Sequence, residues 1–134
     1  MFIEWKEKYS VGIEQIDRQH QGLIELLNKL HEQIQNKDKS FQPETAIKKL
    51  KKYILLHFGT EEKYFDLYNY PRKLEHKEEH RQFAQKVSEL EERIKVAGAV
   101  VTLEMLNWLS QWYRQHVTGS DHQYAQYFKE KGFI

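Results

Sequence analysis

In four long stretches of the chain, the residues expected to face a protein core recur in steps of three and four. This is the spacing of one face of an α-helix. The first runs over residues 13–34 and the second over residues 47–68, shortly after Pro43, which suits the first turn of a helix. The third covers residues 76–97 and the fourth residues 105–116. No stretch shows the sustained alternation that is typical of a strand. The sequence therefore predicts an all-α fold, an up-down four-helix bundle.

The segments outside these four stretches are short. Residues 1–11 form an N-terminal arm whose position the pattern does not predict, Thr102 is a candidate N-cap for the fourth helix, and a short C-terminal helix is expected after Asp121. The 134 residues are enough for one domain with a core, and no repeat or linker divides them. We therefore expect a single domain over residues 1–134.

Composition limits the possible partners and chemistry. Lysine and arginine number 21 against 20 acids, so the net charge of +1 gives no reason to expect a nucleic acid or a membrane surface as partner. The absence of cysteine excludes thiolate ligands, disulfides and a cysteine nucleophile. No apolar run approaches the roughly 20 residues that span a bilayer. These features predict a cytoplasmic protein without a nucleic-acid or membrane partner.

Polar residues stand where a bundle normally places leucine. Six of them lie on the inward faces: His20, His57, Glu61, His76, His80 and His116. Burying one ionisable group without a partner costs several kcal/mol. A single such histidine is most often bonded to a carbonyl, but six inward polar residues indicate a shared function.

The bundle topology predicts that these six residues meet. In an up-down bundle, the start of the first helix, the end of the second, the start of the third and the end of the fourth lie at one end. Asp121 comes five residues after His116 and would turn away from the inward face of a regular helix. A one-residue bulge within residues 117–120 would bring Asp121 back inward. Otherwise, Asp121 would cap the last short helix.

The donor set predicts two metal ions. Five imidazoles and two carboxylates are too many ligands for one six-coordinate ion. With both carboxylates bridging two ions, and an oxo or hydroxo group completing the bridge, one coordination position stays open. Nitrogen and oxygen donors suit iron, manganese or zinc, and an open position favours iron. A set with few carboxylates favours binding of dioxygen over cleavage of its O–O bond.

These residues occur in motifs that resemble the hemerythrin family, specifically the bacterial hemerythrins. The motifs are DRQH, HFGTEE, HKEEH and HVTGSD, and the resemblance extends from Trp5 to Phe128. It implies a non-enzymatic protein that binds dioxygen reversibly at two iron ions joined by an oxo or hydroxo bridge. It also implies the ligand set: His76, His80 and His116 on one iron, His20 and His57 on the open iron, and Glu61 and Asp121 as bridges. The implied oxygen pocket comprises Leu23, Phe58, Trp112, Tyr113 and Val117.

Tyr113 departs from the family pattern, in which leucine commonly follows the tryptophan corresponding to Trp112. Its phenol either enters the oxygen pocket, where it would shorten the life of the oxygenated protein, or points outward.

Other functions also stay open: a sensor of dioxygen, nitric oxide or redox state, or a di-iron peroxidase or oxidase. The pair His76 and His80 also fits a zinc-peptidase pattern, which would leave the other ligand-type residues without a role.

Overall fold

The computed structural model describes residues 3–37, 39–40, 42–97 and 102–134, and no strand occurs among them. The main elements are α1 (Glu14–Gln35), α2 (Pro43–Leu67), α3 (Lys73–Ala97), α4 (Thr102–His116) and α5 (His122–Glu130), with a π-helical turn at Val117–Asp121 and a short 3-10 turn at Glu7–Tyr9. The predicted all-α four-helix bundle is confirmed. The side chain of Thr102, the predicted N-cap, lies outside the described residues.

The helices pack in the order that an up-down bundle requires. Helix α1 lies against α2 and α4, and α2 lies against α3. Pro43 occupies the first turn of α2, where its missing N–H is not needed. Asn69, at a positive φ of 49°, lies in the turn between α2 and α3. This topology brings the start of α1, the end of α2, the start of α3 and the end of α4 to the same end of the molecule.

Two apolar clusters flank the polar layer along the bundle. The larger cluster includes Leu23 and Phe58, and the smaller one includes Ile16 and Phe65. On α1, His20 lies between Ile16 and Leu23, and on α2 Glu61 lies between Phe58 and Phe65. Each buried side chain of this size stabilises the fold by about 1.5–3 kcal/mol. The clusters therefore offset the cost of enclosing polar groups between them.

The N-terminal arm, which the sequence left without a position, packs against α1. The backbone N–H of Ile3 donates to Oδ1 of Asn28 at 2.7 Å, and Nδ2 of Asn28 donates to the Ile3 carbonyl at 2.8 Å. Farther along, the Asp17 carboxylate accepts hydrogen bonds from the Ser10 hydroxyl and the Val11 backbone N–H. The arm thereby covers one side of the bundle beside the polar layer.

Within the described ranges, no helix has both the length and the hydropathy that crossing a membrane requires.

Candidate metal centre

The seven predicted ligand residues come together in one buried layer. None is more than 6% exposed, although all seven carry polar or charged side chains. They belong to α1, α2, α3, α4 and the π turn: His20, His57, Glu61, His76, His80, His116 and Asp121. The structure thus brings together every side chain that the sequence placed at this end of the bundle.

Asp121 reaches the layer because the chain forms a π turn between α4 and α5. The turn covers Val117–Asp121 and contains one residue more per hydrogen-bonded ring than an α-helix. The predicted bulge is therefore confirmed. Asp121 is fully buried and its side chain makes no capping hydrogen bond to α5, so the alternative of a helix cap is wrong.

The ligand atoms form two overlapping groups. One consists of Glu61, His76, His80 and His116, and the other of His20, His57, Glu61 and Asp121. Within each group the ligand atoms all lie within 4.8 Å of one another. Glu61 belongs to both groups, so the two are neighbours that share a carboxylate.

Asp121 also lies between the two groups. Its Oδ1 atom is 3.0 Å from Nε2 of His116 and 3.1 Å from Nε2 of His76. Its Oδ2 atom is 3.2 Å from Nε2 of His20. One oxygen therefore faces the three-histidine side and the other faces the two-histidine side, as a bridging carboxylate requires.

Glu61 also contacts histidines of both sides, but its closest contacts to both sides are made by one oxygen. Its Oε1 atom is 2.9 Å from Nε2 of His57 and 3.4 Å from Nε2 of His80, and its Oε2 atom is 3.9 Å from Nε2 of His76. The five imidazoles thus present their Nε2 atoms to the same interior that the two carboxylates face.

The chemistry of this interior fits metal ions. The four carboxylate oxygens of Glu61 and Asp121 are buried, and none has a hydrogen-bond partner of acceptable geometry among the described residues. Imidazole nitrogens face each other at 2.9 Å between His20 and His57 and at 3.1 Å between His76 and His116. Two ligands at right angles on one six-coordinate ion, each about 2.1 Å from it, lie about 3.0 Å apart. The two nitrogen–nitrogen distances therefore match the separation expected between two ligands of one shared ion.

Aromatic rings hold the imidazoles of the three-histidine side. Phe58 stacks on His80 with ring centroids 3.8 Å apart and planes 9° apart. Trp112 stacks on His116 at 4.3 Å and 15°. Phe65 lies 4.7 Å from the ring of His76. Since a stacked ring restricts rotation of its neighbour, this packing orients the Nε2 atoms before any ion binds.

A second layer of polar side chains contacts the outer nitrogens. Nδ1 of His57 is 2.7 Å from Oε1 of Gln19, and Nδ1 of His116 is 3.0 Å from Oε2 of Glu79. Hydrogen-bonded partners of this kind fix the orientation of metal-binding imidazoles. Glu62 lies farther away, with its Oε2 atom 3.7 Å from Nδ1 of His80, which is beyond hydrogen-bond distance.

Sequence reasoning missed these outer residues, although a signal existed. Gln19 directly precedes His20, Glu62 directly follows Glu61, and Glu79 directly precedes His80. A residue beside a ligand on a helix points about 100° away from it, which directs it toward the ligand of a neighbouring helix. Polar residues adjacent to predicted ligands are thus candidates for the second layer.

The electrostatics of the layer hold the pKa values of Glu61 and Asp121 below their usual range and keep both carboxylates charged. Burial raises the pKa of Asp121, but His116, His20 and His76 outweigh burial and hold it well below its usual value. Burial likewise lowers the pKa of His116, but Asp121 and Glu79 raise it to about 10. The hydrogen bond from His116 lowers the pKa of Glu79 to about 2. Burial lowers the pKa of His57 and favours its neutral form. A metal cation bound here would supply the positive charge that the proton on His116 supplies in the metal-free protein.

A small cavity opens beside the two-histidine side of the layer. Its volume is about 10 Å³, close to the least that can hold one water-sized molecule. The lining includes the imidazoles of His20, His57 and His116. It also includes all five residues of the predicted oxygen pocket: Leu23, Phe58, Trp112, Tyr113 and Val117. The walls other than the imidazoles are apolar or aromatic.

Tyr113 lies in this wall and does not point to solvent. Its side chain is buried, and its hydroxyl donates to the main-chain carbonyl of His20 at a long distance of 3.4 Å. Its ring packs edge-on to Tyr9 of the arm at 6.0 Å and to His20 at 5.8 Å. Burial raises the pKa of the phenol. The ring therefore shapes the cavity while the hydroxyl is directed to the backbone of α1.

The fold and the site define a helical-bundle protein with a buried histidine and carboxylate centre that could hold metal ions. The hemerythrin HHE cation binding domain matches residues 11–128, and the chain belongs to the hemerythrin family. This agrees with the resemblance found in the motifs.

Curated relatives support this membership over nearly the full chain. A bacteriohemerythrin of Clostridium acetobutylicum is 33% identical over 128 residues, which cover 92% of this chain and 98% of that protein. A bacteriohemerythrin of Pseudomonas aeruginosa is 34% identical, over 90% of this chain and 78% of the relative. A solved structure described as a leucine-to-phenylalanine mutant superposes with a TM-score of 0.84 at 22% identity, over 92% of this chain and 95% of its own, and shows the same fold.

Proposed function

We propose that this chain is a non-haem di-iron protein that binds dioxygen reversibly, as a carrier or store rather than an enzyme. The proposal rests most on the shared carboxylates: Glu61 belongs to both donor groups, and Asp121 directs one oxygen to each side. Such an arrangement suits two ions side by side. Proteins of the hemerythrin family bind non-haem iron, and the match over residues 11–128 supports iron as the metal.

The proposed ligand assignment follows the contacts. His76, His80 and His116 would hold one iron, His20 and His57 would hold the other, and Glu61 and Asp121 would bridge them. Two iron ions held by these residues, with an oxo or hydroxo bridge between them, would supply the electrons and the open position that dioxygen requires. The side with only two imidazoles borders the apolar cavity, which supports that side as the place of the open position.

The protein's own residues favour binding over bond cleavage. Leu23, Phe58 and Val117 exclude water from the cavity, since their side chains offer no hydrogen-bonding group. The Tyr113 hydroxyl is engaged with the His20 carbonyl and does not supply a proton to the cavity in this arrangement. Five imidazoles against two carboxylates also give a donor set with little negative charge, which disfavours the high oxidation states needed for oxidase chemistry.

The test is metal analysis of the purified protein, followed by visible spectra of the reduced protein before and after exposure to air. We expect close to two irons per chain and an absorption change on oxygenation that reverses when dioxygen is removed. One zinc and no iron would exclude the di-iron site. Two irons with irreversible oxidation in a single exposure would instead favour redox chemistry over reversible binding.

A further inference from the structure

The second layer differs in charge between the two sides of the site. On the three-histidine side, the outer nitrogen of His116 faces the carboxylate of Glu79 at 3.0 Å. On the two-histidine side, the outer nitrogen of His57 faces the amide oxygen of Gln19 at 2.7 Å. One imidazole thus has a negatively charged partner and the other a neutral one.

The orientation of the Gln19 amide follows from its own partners. The Thr60 hydroxyl donates its proton to the main-chain carbonyl of Leu56 at 3.1 Å. Its oxygen can therefore act only as an acceptor toward Gln19, whose Nε2 lies 3.0 Å away and donates to it. Since the amide nitrogen faces Thr60, the amide oxygen must face His57.

This chain of hydrogen bonds determines the tautomer of a neutral His57. An amide oxygen only accepts, so Nδ1 of His57 must carry the proton. Nε2 then has the free lone pair, and it is this nitrogen that faces Glu61 and His20 in the interior. The tautomer is thus set by a side chain that does not reach the interior itself.

The backbone of Gln19 is also fixed. The Tyr53 hydroxyl donates to the Gln19 carbonyl at 2.6 Å, a short bond between α2 and α1. Gly22 leaves the room for this phenol, because a Cβ atom at that position would lie 2.2 Å from the Tyr53 hydroxyl oxygen. A glycine inside α1 costs roughly 1 kcal/mol relative to alanine, so its presence is explained by this close approach.

We propose that Gln19, oriented by Thr60, is a positioning residue that fixes the His57 tautomer and gives the two-histidine ion a neutral outer partner. Glu79 gives the three-histidine ion a negatively charged one. A carboxylate partner makes an imidazole a stronger electron donor and stabilises the more highly charged metal, whereas an amide does so less. The two ions therefore differ in affinity and in reduction potential, and the ion beside the cavity is the more easily kept ferrous. This inference rests on the proposed di-iron function.

The first test uses metal binding. The metal-free wild type and Gln19→Leu are titrated with Fe²⁺ without oxygen, and release to a ferrous chelator is followed. We expect Gln19→Leu to weaken one of the two irons by about 10–100-fold and to leave the other near wild type. Thr60→Val should act in the same direction, and Thr60→Ser should restore binding because it keeps the hydroxyl. Circular dichroism of each variant verifies the fold.

The second test uses the reduction potential. Gln19→Glu places a charged partner on His57, so the midpoint potential of one iron should move negative and the oxygenated protein should autoxidise several-fold faster. Glu79→Gln should move the other iron positive. Gln33→Glu adds the same charge to α1 away from the site and serves as the matched control, with no shift expected.

The outcomes separate the two proposals. If the wild type binds no pair of irons, the proposed function fails, and the inference fails with it. If the wild type binds two irons while Gln19→Leu binds both with unchanged affinity, the inference alone is overturned. An unchanged potential in Gln19→Glu, with both irons in place, would overturn the charge asymmetry.

Discussion

Asp121 follows His116 by five residues, yet its Oδ1 atom lies 3.0 Å from Nε2 of His116. On a regular α-helix five steps of about 100° would turn the two side chains roughly 140° apart. The π turn at Val117–Asp121 removes that difference by accommodating one additional residue. The second bridge between the two sides therefore depends on a local departure from α-helical geometry.

Removing one residue from this turn should leave the site intact. Deletion of Gly119 changes the spacing of His116 and Asp121 to four, the spacing at which side chains share a face of an α-helix. We expect the variant without Gly119 to retain two irons and to melt at a higher temperature than the wild type, because its π turn becomes regular α-helix. Metal analysis and thermal denaturation measure both effects.

The matched change is an alanine inserted after Gly119. It should turn Asp121 away from the interior, and we expect loss of at least one iron. If the deletion lost iron while the insertion kept it, the π turn would not be what positions Asp121.

The fold and the layer of ligand residues could be predicted from the sequence because both depend on helical periodicity. Ionisable residues such as His57 and Glu61 interrupt an otherwise apolar face. A histidine bonded to a backbone carbonyl could explain one such residue, but not six at one end of four helices. The bulge before Asp121 was one of two alternatives that the sequence left open, because the spacing of five residues fits either a bulged helix or a cap on the last short helix.

Other features depend on distances between helices and could not be predicted. Polar residues beside the ligands are candidates for the outer layer, but which imidazole each one contacts, as Gln19 contacts His57, depends on the packing of α1 against α2. The arm had no periodicity, and its position depends on hydrogen bonds with Asn28 and Asp17 of α1. The direction of the Tyr113 hydroxyl likewise follows from the position of the α1 backbone.

Variants of the ligands should separate the two irons. His20→Ala removes one of two imidazoles from the side next to the cavity, so we expect oxygen binding to be lost while one iron is retained. Glu61→Gln removes the charge of the carboxylate that both donor groups share, so both irons should be lost. Iron content and the oxygenated spectrum report the two effects. Equal loss of iron from both variants would contradict the assignment.

The contact between the arm and α1 should contribute measurably to stability. Asn28→Ala leaves the backbone N–H and carbonyl of Ile3 without their partners, and each buried unsatisfied group costs about 1–3 kcal/mol. We expect a lower free energy of unfolding in denaturant titrations. Asn36→Ala, at an exposed position after α1, is the control and should change little.

The raised pKa of His116 predicts proton release on metal binding. With a folded pKa of about 10 against an ordinary value near 6.5, His116 carries a proton at pH 7 in the metal-free protein. This proton stabilises the metal-free fold fully below about pH 6.5, and its contribution is lost as the pH rises through about 10. Iron must displace it, so affinity should rise by about tenfold per pH unit for each proton released.

Anaerobic addition of Fe²⁺ in a pH-stat measures that release. We expect about one proton per chain from His116 at pH 7. Glu79→Gln should release less, because Glu79 is one of the two carboxylates that raise the pKa of His116. Iron binding that is independent of pH between 6 and 8 would show that His116 is already neutral.

Tyr113 offers the sharpest test of how the cavity protects the oxygenated protein. Of the cavity-lining residues that the structure describes, Tyr113 alone carries a hydroxyl group. Its bond to the His20 carbonyl is long at 3.4 Å, so the hydroxyl hydrogen is held weakly and can leave that carbonyl by rotation about the C–O bond while the ring stays in place. Because a proton donor or an admitted water shortens the life of the oxygenated form, we expect Tyr113→Phe to lengthen it while keeping the shape of the wall.

Stopped-flow decay of the oxygenated absorption band, at one pH and temperature, compares Tyr113→Phe with wild type. Tyr64→Phe removes a hydroxyl that bonds to Gln15 on the exposed surface and is the matched control, with unchanged decay expected. Tyr113→Leu removes the ring as well and reproduces the residue that the family commonly has, so it separates the effect of the hydroxyl from that of the ring. Equal decay in wild type and Tyr113→Phe, with a change only in Tyr113→Leu, would mean that the hydroxyl stays on the His20 carbonyl and that the ring alone shapes the cavity.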